Sequence, residues 1–158
     1  MSAPGKPTEQ ARALRRSAIA VAIACTVCLP SRGDAQRLQF TKLTADDGLS
    51  SPWVPTIYQD VRGFMWFGTR RGLDRYDGYS ITNYRHVRGD SATLPDNYIE
   101  FVREDRDSVL WVGTRKGLSR FDRAHDRFVT YAVGPGDSGR VVFSFLQTKA
   151  GQRWVGTE

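Results

Sequence analysis

Past residue 35 the sequence contains no cysteine; Cys25 and Cys28 are the only two in the chain. That excludes thiol catalysis, disulfides and cysteine–metal sites from everything after that point. Histidine is almost as scarce. His86 and His125 are the only two, and both sit in polar loop surroundings. Two histidines fall short of a zinc site, and no serine–histidine–aspartate arrangement is in evidence. No uncharged run reaches the roughly 20 residues that a membrane-spanning helix needs. After Ala35 no stretch carries helical periodicity. Gly134-Pro-Gly-Asp-Ser-Gly139 is glycine-rich, but it precedes a strand and lacks a following Lys-Ser/Thr, so it is a loop and no phosphate cradle.

The N-terminus reads as an address. Residues 1–16 carry Lys6, Arg12, Arg15 and Arg16 against one acid, Glu9. Ser17–Leu29 is uncharged, Pro30 and Ser31 end it, and Gly33-Asp34-Ala35 offers small residues at −3 and −1. This predicts a cleavable signal peptide over 1–35. The alternatives are a buried N-terminal helix and a lipoprotein, because Ala22-Ile23-Ala24-Cys25 loosely resembles a lipobox. Arg15-Arg16 fits twin-arginine export poorly. The whole chain has a formal charge of +6. The part after residue 35 keeps 18 basic and 15 acidic residues, a balance of +3 without a basic stripe. Nucleic acid is not expected as a partner.

The remainder repeats. Trp66-Phe-Gly-Thr69, Trp111-Val-Gly-Thr114 and Trp154-Val-Gly-Thr157 are spaced by 45 and 43 residues. Gly72-Leu73 and Gly117-Leu118 each lie six after a tryptophan, and Tyr76-Asp77 answers Phe121-Asp122. Asp60, Asp105 and Thr148 lie six before; Ile57, Val102 and Phe145 nine before; Val54, Ile99 and Val142 twelve before. A period of this length marks a repeat architecture.

Each unit reads as four short strands. In the first they cover Val54–Asp60, Phe64–Thr69, Leu73–Tyr76 and Tyr79–Tyr84, with Asp77-Gly78 as a two-residue hairpin. In the second they cover about 98–105, 109–114, 117–122 and 127–132, with a longer last hairpin. The fold class is all-β, built of four-stranded antiparallel meanders, the blades of a β-propeller. The organisation expected is signal peptide 1–35, lead-in 36–50, blade one 51–90, blade two 91–136 and the first half of blade three 137–158. Leu38–Leu43 shares the Phe40-x-x-Leu43 signature of the fourth strands and is a candidate ring-closing strand; the alternative is an edge strand on blade one. Propellers have roughly four to eight blades, so the chain is expected to be the N-terminal piece of a longer protein.

Gly48-Leu49-Ser50, Asp60, Gly63-x-x-Trp66-x-Gly-Thr69 and Gly72-Leu-x-Arg75-Tyr-Asp77 together resemble the two-component regulator propeller repeat. The second copy answers with Leu94, Asn97, Asp105, Trp111-Val-Gly-Thr114 and Gly117-Leu-Ser-Arg120-Phe-Asp122. Ser108 replaces the turn glycine, and Pro52-Trp53 replaces a usual polar pair. The resemblance implies an exported, periplasmic sensor region. The whole protein would be dimeric and cross the inner membrane once. Its cytoplasmic output would be a histidine kinase or diguanylate cyclase, and its ligand an oligosaccharide or another small extracellular molecule. Part of a secreted propeller enzyme, such as a polysaccharide lyase or glycosidase, or an exported scaffold propeller are the alternatives.

No residue of the chain reads as catalytic, and no cofactor or metal is expected. Asp46-Asp47, Asp60 and Asp105 read as turn formers that bond their own backbone. Trp66, Trp111 and Trp154, with Leu73 and Leu118, read as the repeated core between blades. Binding residues should break the repeat and share one face. In a meander, the turns between second and third strands share a face with the connections between blades. Arg70, Arg71, Arg115 and Lys116 occupy those turns and Trp53 lies near the connection into blade one. These five are the candidate ligand-binding residues, cationic donors and one aromatic facing an anionic or polyhydroxylated ligand.

Overall fold

The computed structural model describes residues 40–134 and 140–158. The signal peptide expected over residues 1–35 and Leu38–Gln39 lie outside the described residues. Ten strands follow in chain order: β1 (Thr56–Gln59), β2 (Met65–Thr69), β3 (Gly72–Tyr76), β4 (Ile81–Tyr84), β5 (Ile99–Glu104), β6 (Leu110–Thr114), β7 (Gly117–Asp122), β8 (Arg127–Tyr131), β9 (Val142–Gln147) and β10 (Arg153–Thr157). They form two four-stranded meanders, β1-β2-β3-β4 and β5-β6-β7-β8, and the two-stranded sheet β9-β10, all antiparallel. No helix occurs among the described residues. The sheets are propeller blades, and among the described residues they do not close into a ring.

The core lies between blades. Trp66 and Leu73 of the first sheet pack with Ile99, Val102, Leu110, Val112 and Phe121 of the second. Trp111 and Leu118 of the second pack with Val142 and Phe145 of β9. Aromatic rings fill each junction, Trp66 edge-on to Phe121 at 5.2 Å and Trp111 stacked on Phe145 at 5.2 Å. The Gly-Thr after each of these tryptophans has a steric reason. A Cβ on Gly68 would sit 2.7 Å from Ile99, and one on Gly113 would meet the Phe101 ring and the Val142 carbonyl at 2.6 Å. Only a glycine lets the next blade approach that closely.

The lead-in is anchored from inside. Buried Asp74 accepts from the Ser50 backbone N–H and hydroxyl and from Asn83 Nδ2. This is why Gly48-Leu49-Ser50 precedes the first blade: Gly48 turns at φ +105° and Leu49 is buried.

Two expectations are corrected. The first strand begins at Thr56, because Pro55 has no N–H to give a ladder. The Asp77-Gly78 hairpin is a four-residue loop closed on Tyr76↔Ile81, with Asp77 Oδ1 accepting from the N–H groups of Tyr79 and Ser80. The described part of Leu38–Leu43, residues 40–43, pairs with no strand among the described residues. Trp154 is 62% exposed, against 0% for Trp66 and 7% for Trp111. The repeat position does not bury a tryptophan by itself; a following sheet does, and among the described residues none covers β10.

Candidate functional site

The β2–β3 and β6–β7 turns are built alike. Thr69 Oγ1 donates to the Gly72 carbonyl at 2.8 Å and accepts from the Arg71 N–H at 3.0 Å. Thr114 does the same with Gly117 and Lys116, at 3.0 and 3.1 Å. Gly72 and Gly117 hold φ of +136° and +134°, and a Cβ on Gly72 would lie 2.5 Å from the Tyr84 carbonyl. The first turn residue of each blade, Arg70 or Arg115, is therefore presented in the same way at the same end of the sheet.

At that end the two arginines alternate with two aromatic rings. The Arg70 guanidinium carbon lies 3.9 Å from the Trp53 ring centre and 5.5 Å from that of Tyr98. The Arg115 guanidinium carbon lies 3.7 Å from the Tyr98 ring centre. Arg70 Nε donates to the Tyr98 hydroxyl at 3.2 Å, and Arg115 Nε to Glu100 at 3.1 Å. Tyr98 is fixed in turn by its N–H on Asp96 Oδ1 at 2.7 Å and its carbonyl on the Arg115 N–H at 3.3 Å. Lys116 pairs with Asp96 at 3.6 Å. The hydrogen bond to Glu100 raises the pKa of Arg115 above its ordinary value, so its charge is permanent.

Stacking of this kind is worth about 0.5–1 kcal/mol per exposed pair. Its larger consequence is orientation. Both guanidinium planes are pinned through Nε, and among the described residues the terminal nitrogens of Arg70 and Arg115 donate to no protein group. Two stiff, outward forks suit a carboxylate, a sulfate or neighbouring hydroxyls.

Four of the five candidate residues, Trp53, Arg70, Arg115 and Lys116, thus share one end of the blades. Arg71 is exposed beside them and has no side-chain partner among the described residues. Sequence reading missed Tyr98, Asp96 and Glu100, which lie at the entry to β5. Tyr98 stands thirteen before Trp111 as Trp53 stands thirteen before Trp66, and that shared aromatic offset was the available signal. Beside Lys116 an open groove of about 960 Å³ runs between the 86–95 connection and the edge of β8, lined by His86, Thr93, Lys116, Arg127 and Tyr131. His86 is held at its wall, Nδ1 donating to the Leu94 carbonyl at 2.7 Å.

The opposite end is structural. Asp60 Oδ2 accepts from Trp66 Nε1 at 2.9 Å and from Arg123 at 2.8 Å, and Oδ1 accepts from the N–H groups of Arg62 and Phe64. Asp105 repeats this with Trp111 Nε1 at 3.0 Å and Arg153 at 3.0 Å. Burial pushes both carboxyls up, but the indole, arginine and backbone donors outweigh it and hold each below the ordinary aspartate value. These carboxylates do more than close their own turns, since each one ties its tryptophan to the next blade. No group of three or more His, Asp or Glu able to hold a metal occurs among the described residues.

A family model described as two component regulator propeller matches residues 48–71 and 93–116. Histidine kinase P4 of Formosa agariphila is 42% identical over 55 residues, 35% of this chain and 4% of that protein. The extracellular domain described as that of the hybrid two component system BT3049 from B. thetaiotaomicron superposes with a TM-score of 0.64 and 27% identity, over 73% of this chain and 17% of that one. The extracellular domain of BT4673 from the same organism does so at 0.58 and 28%, over 66% and 15%. The chain spans less than a fifth of each relative. The matched segments include both buried tryptophans, both Gly-Thr turns and the arginines that follow them, and each matched segment is a two-component regulator propeller repeat.

Proposed function

We propose that this chain is part of the ligand-sensing propeller of an exported receptor, held in the periplasm and linked to a cytoplasmic output such as a histidine kinase. The reading is supported by the propeller repeats and by the likeness to extracellular domains of two-component systems. The observation that carries ligand sensing is the alternation Trp53–Arg70–Tyr98–Arg115 at one end of the blades. The ligand class that suits it is an oligosaccharide bearing carboxylates or sulfates: the arginine forks take the anionic groups and the exposed Trp53 ring packs its face on a sugar. In the receptor, ligand binding would bias propeller or dimer packing and so the output.

Calorimetric titration with acidic and neutral oligosaccharides of equal length tests this. The acidic series binds saturably, and Arg70→Lys, which keeps the charge and loses the fork, weakens it about ten-fold. Equal binding of both series, or none, or an unaffected Arg70→Lys, contradicts the proposal.

A further inference from the structure

The β2–β3 and β6–β7 turns share one geometry but differ in charge. In the second blade each cation has an acid of its own. Arg115 pairs with Glu100 at 3.1 Å, and Lys116 with Asp96 at 3.6 Å. In the first blade the corresponding positions are neutral. Glu100 stands eleven residues before Trp111, and Pro55 stands eleven before Trp66. Asp96 stands fifteen before Trp111, and Ser51 fifteen before Trp66. Ser51 does the same local work as Asp96. Its Oγ accepts from the Trp53 N–H at 3.2 Å, as Asp96 Oδ1 accepts from the Tyr98 N–H at 2.7 Å. The first blade keeps the turn and omits the carboxylate. Arg70 and Arg71 therefore have no anionic partner among the described residues.

A third cation joins them. Tyr84 and Tyr131 hold the same register place, opposite Leu73 and Leu118. The next residue is Arg85 in the first blade and Ala132 in the second. The Arg85 stem lies against Gly72 of the β2–β3 turn, 3.1 Å from where a Cβ on that glycine would stand. Arg85 is exposed and is likewise without an acid among the described residues. The first-blade end thus presents three uncompensated cations, and the second-blade end two ion pairs. An anion is drawn to the first; at the second, the acid beside each cation cancels most of the attraction. What the second end keeps is hydrogen bonding, because the Arg115 fork still donates.

Resting on the function proposed above, we infer that this site takes an oligosaccharide whose acidic group lies at one end. The carboxylate or sulfate sits at the first blade, on Arg70 with Arg71 and Arg85 about it. The second blade takes neutral hydroxyls through Arg115. The ligand is bound in one direction, and Glu100 and Asp96 select against a second acid on it.

Calorimetric titration of the full chain with two disaccharides tests this: one of a galacturonate and a galactose, the other digalacturonate. Wild type binds the two with affinities within about two-fold of each other. Arg70→Gln weakens both about ten-fold, and Arg115→Gln only about two-fold. Glu100→Gln keeps an acceptor for Arg115 Nε and loses the charge. It therefore raises the affinity for digalacturonate, relative to the single-acid disaccharide, about ten-fold. Equal losses at Arg70 and Arg115, a wild-type preference for digalacturonate, or an unchanged ratio in Glu100→Gln overturns the inference and leaves the acidic-ligand reading standing. Binding of neither disaccharide overturns both.

Discussion

Trp66 Nε1 donates to Asp60 Oδ2 at 2.9 Å, and the same bond joins Trp111 to Asp105 at 3.0 Å one blade later. The spacing of six residues is what the geometry requires. The aspartate follows the last residue of the first strand, the chain reverses through four residues, and the tryptophan is the second residue of the second strand. Asp60→Ala removes the acceptor from a fully buried indole and leaves Arg123 facing Glu104 alone. The expected loss is about 3 kcal/mol, with Asp60→Asn near half of that, read from urea unfolding of each variant.

The same carboxylates set the acid limit of the fold. Their folded pKa values lie below the unfolded value, so their contribution is complete above about pH 4, the unfolded aspartate range. It is lost as pH falls through the depressed folded values. Stability measured from pH 6 downward stays flat until about pH 4 and then falls. Asp60→Asn makes that fall shallower, and a parallel fall in variant and wild type would place the titration elsewhere.

Ser108 holds φ +59° where the other blades have Gly63 at +88° and Gly151 at +84°. A side chain in that region costs about 1 kcal/mol. Ser108→Gly is expected to stabilise the chain by about that much, and Gly63→Ala to destabilise it by a similar amount, since nothing lies within 4 Å of a Cβ there. Thermal melts of the two variants should move in opposite directions.

Gly113→Ala acts differently. Its backbone is not left-handed, but its Cβ would be driven into Phe101 and the Val142 carbonyl. The second junction then has to open, at a cost of about 2–3 kcal/mol. Gly78→Ala, at φ +100° with nothing within 4 Å, carries backbone strain of about 1 kcal/mol without a clash, and in the same urea series it separates strain from collision.

The blades were legible because each tryptophan, glycine–threonine and glycine–leucine recurs in step, and a repeated unit that pairs its own strands needs little outside context. Less local features were not legible. The burial of Trp154 depends on a neighbouring sheet, so its motif, shared with Trp66, could not disclose its exposure. Asp60 was readable as a turn former; its bond to Trp66 was implied only by their constant separation. Of the candidate site, the turn arginines and Trp53 were readable from their place in the meander. Tyr98, which joins Arg70 to Arg115, stands thirteen residues before Trp111 as Trp53 stands before Trp66; that offset was readable, but its place between arginines of successive blades depends on how the blades pack.

The proposal that this end of the blades receives ligand is tested most directly by observing which residues respond. In an NMR titration of the full chain with a uronate-bearing oligosaccharide, the account predicts that the Trp53 indole and the Nε–H signals of Arg70 and Arg115 shift together and saturate at one concentration. The Trp66 indole and Arg123, at the opposite end, stay still. Shifts confined to the Asp60–Arg123 end, or no saturable shift at Trp53, Arg70 and Arg115, would contradict it.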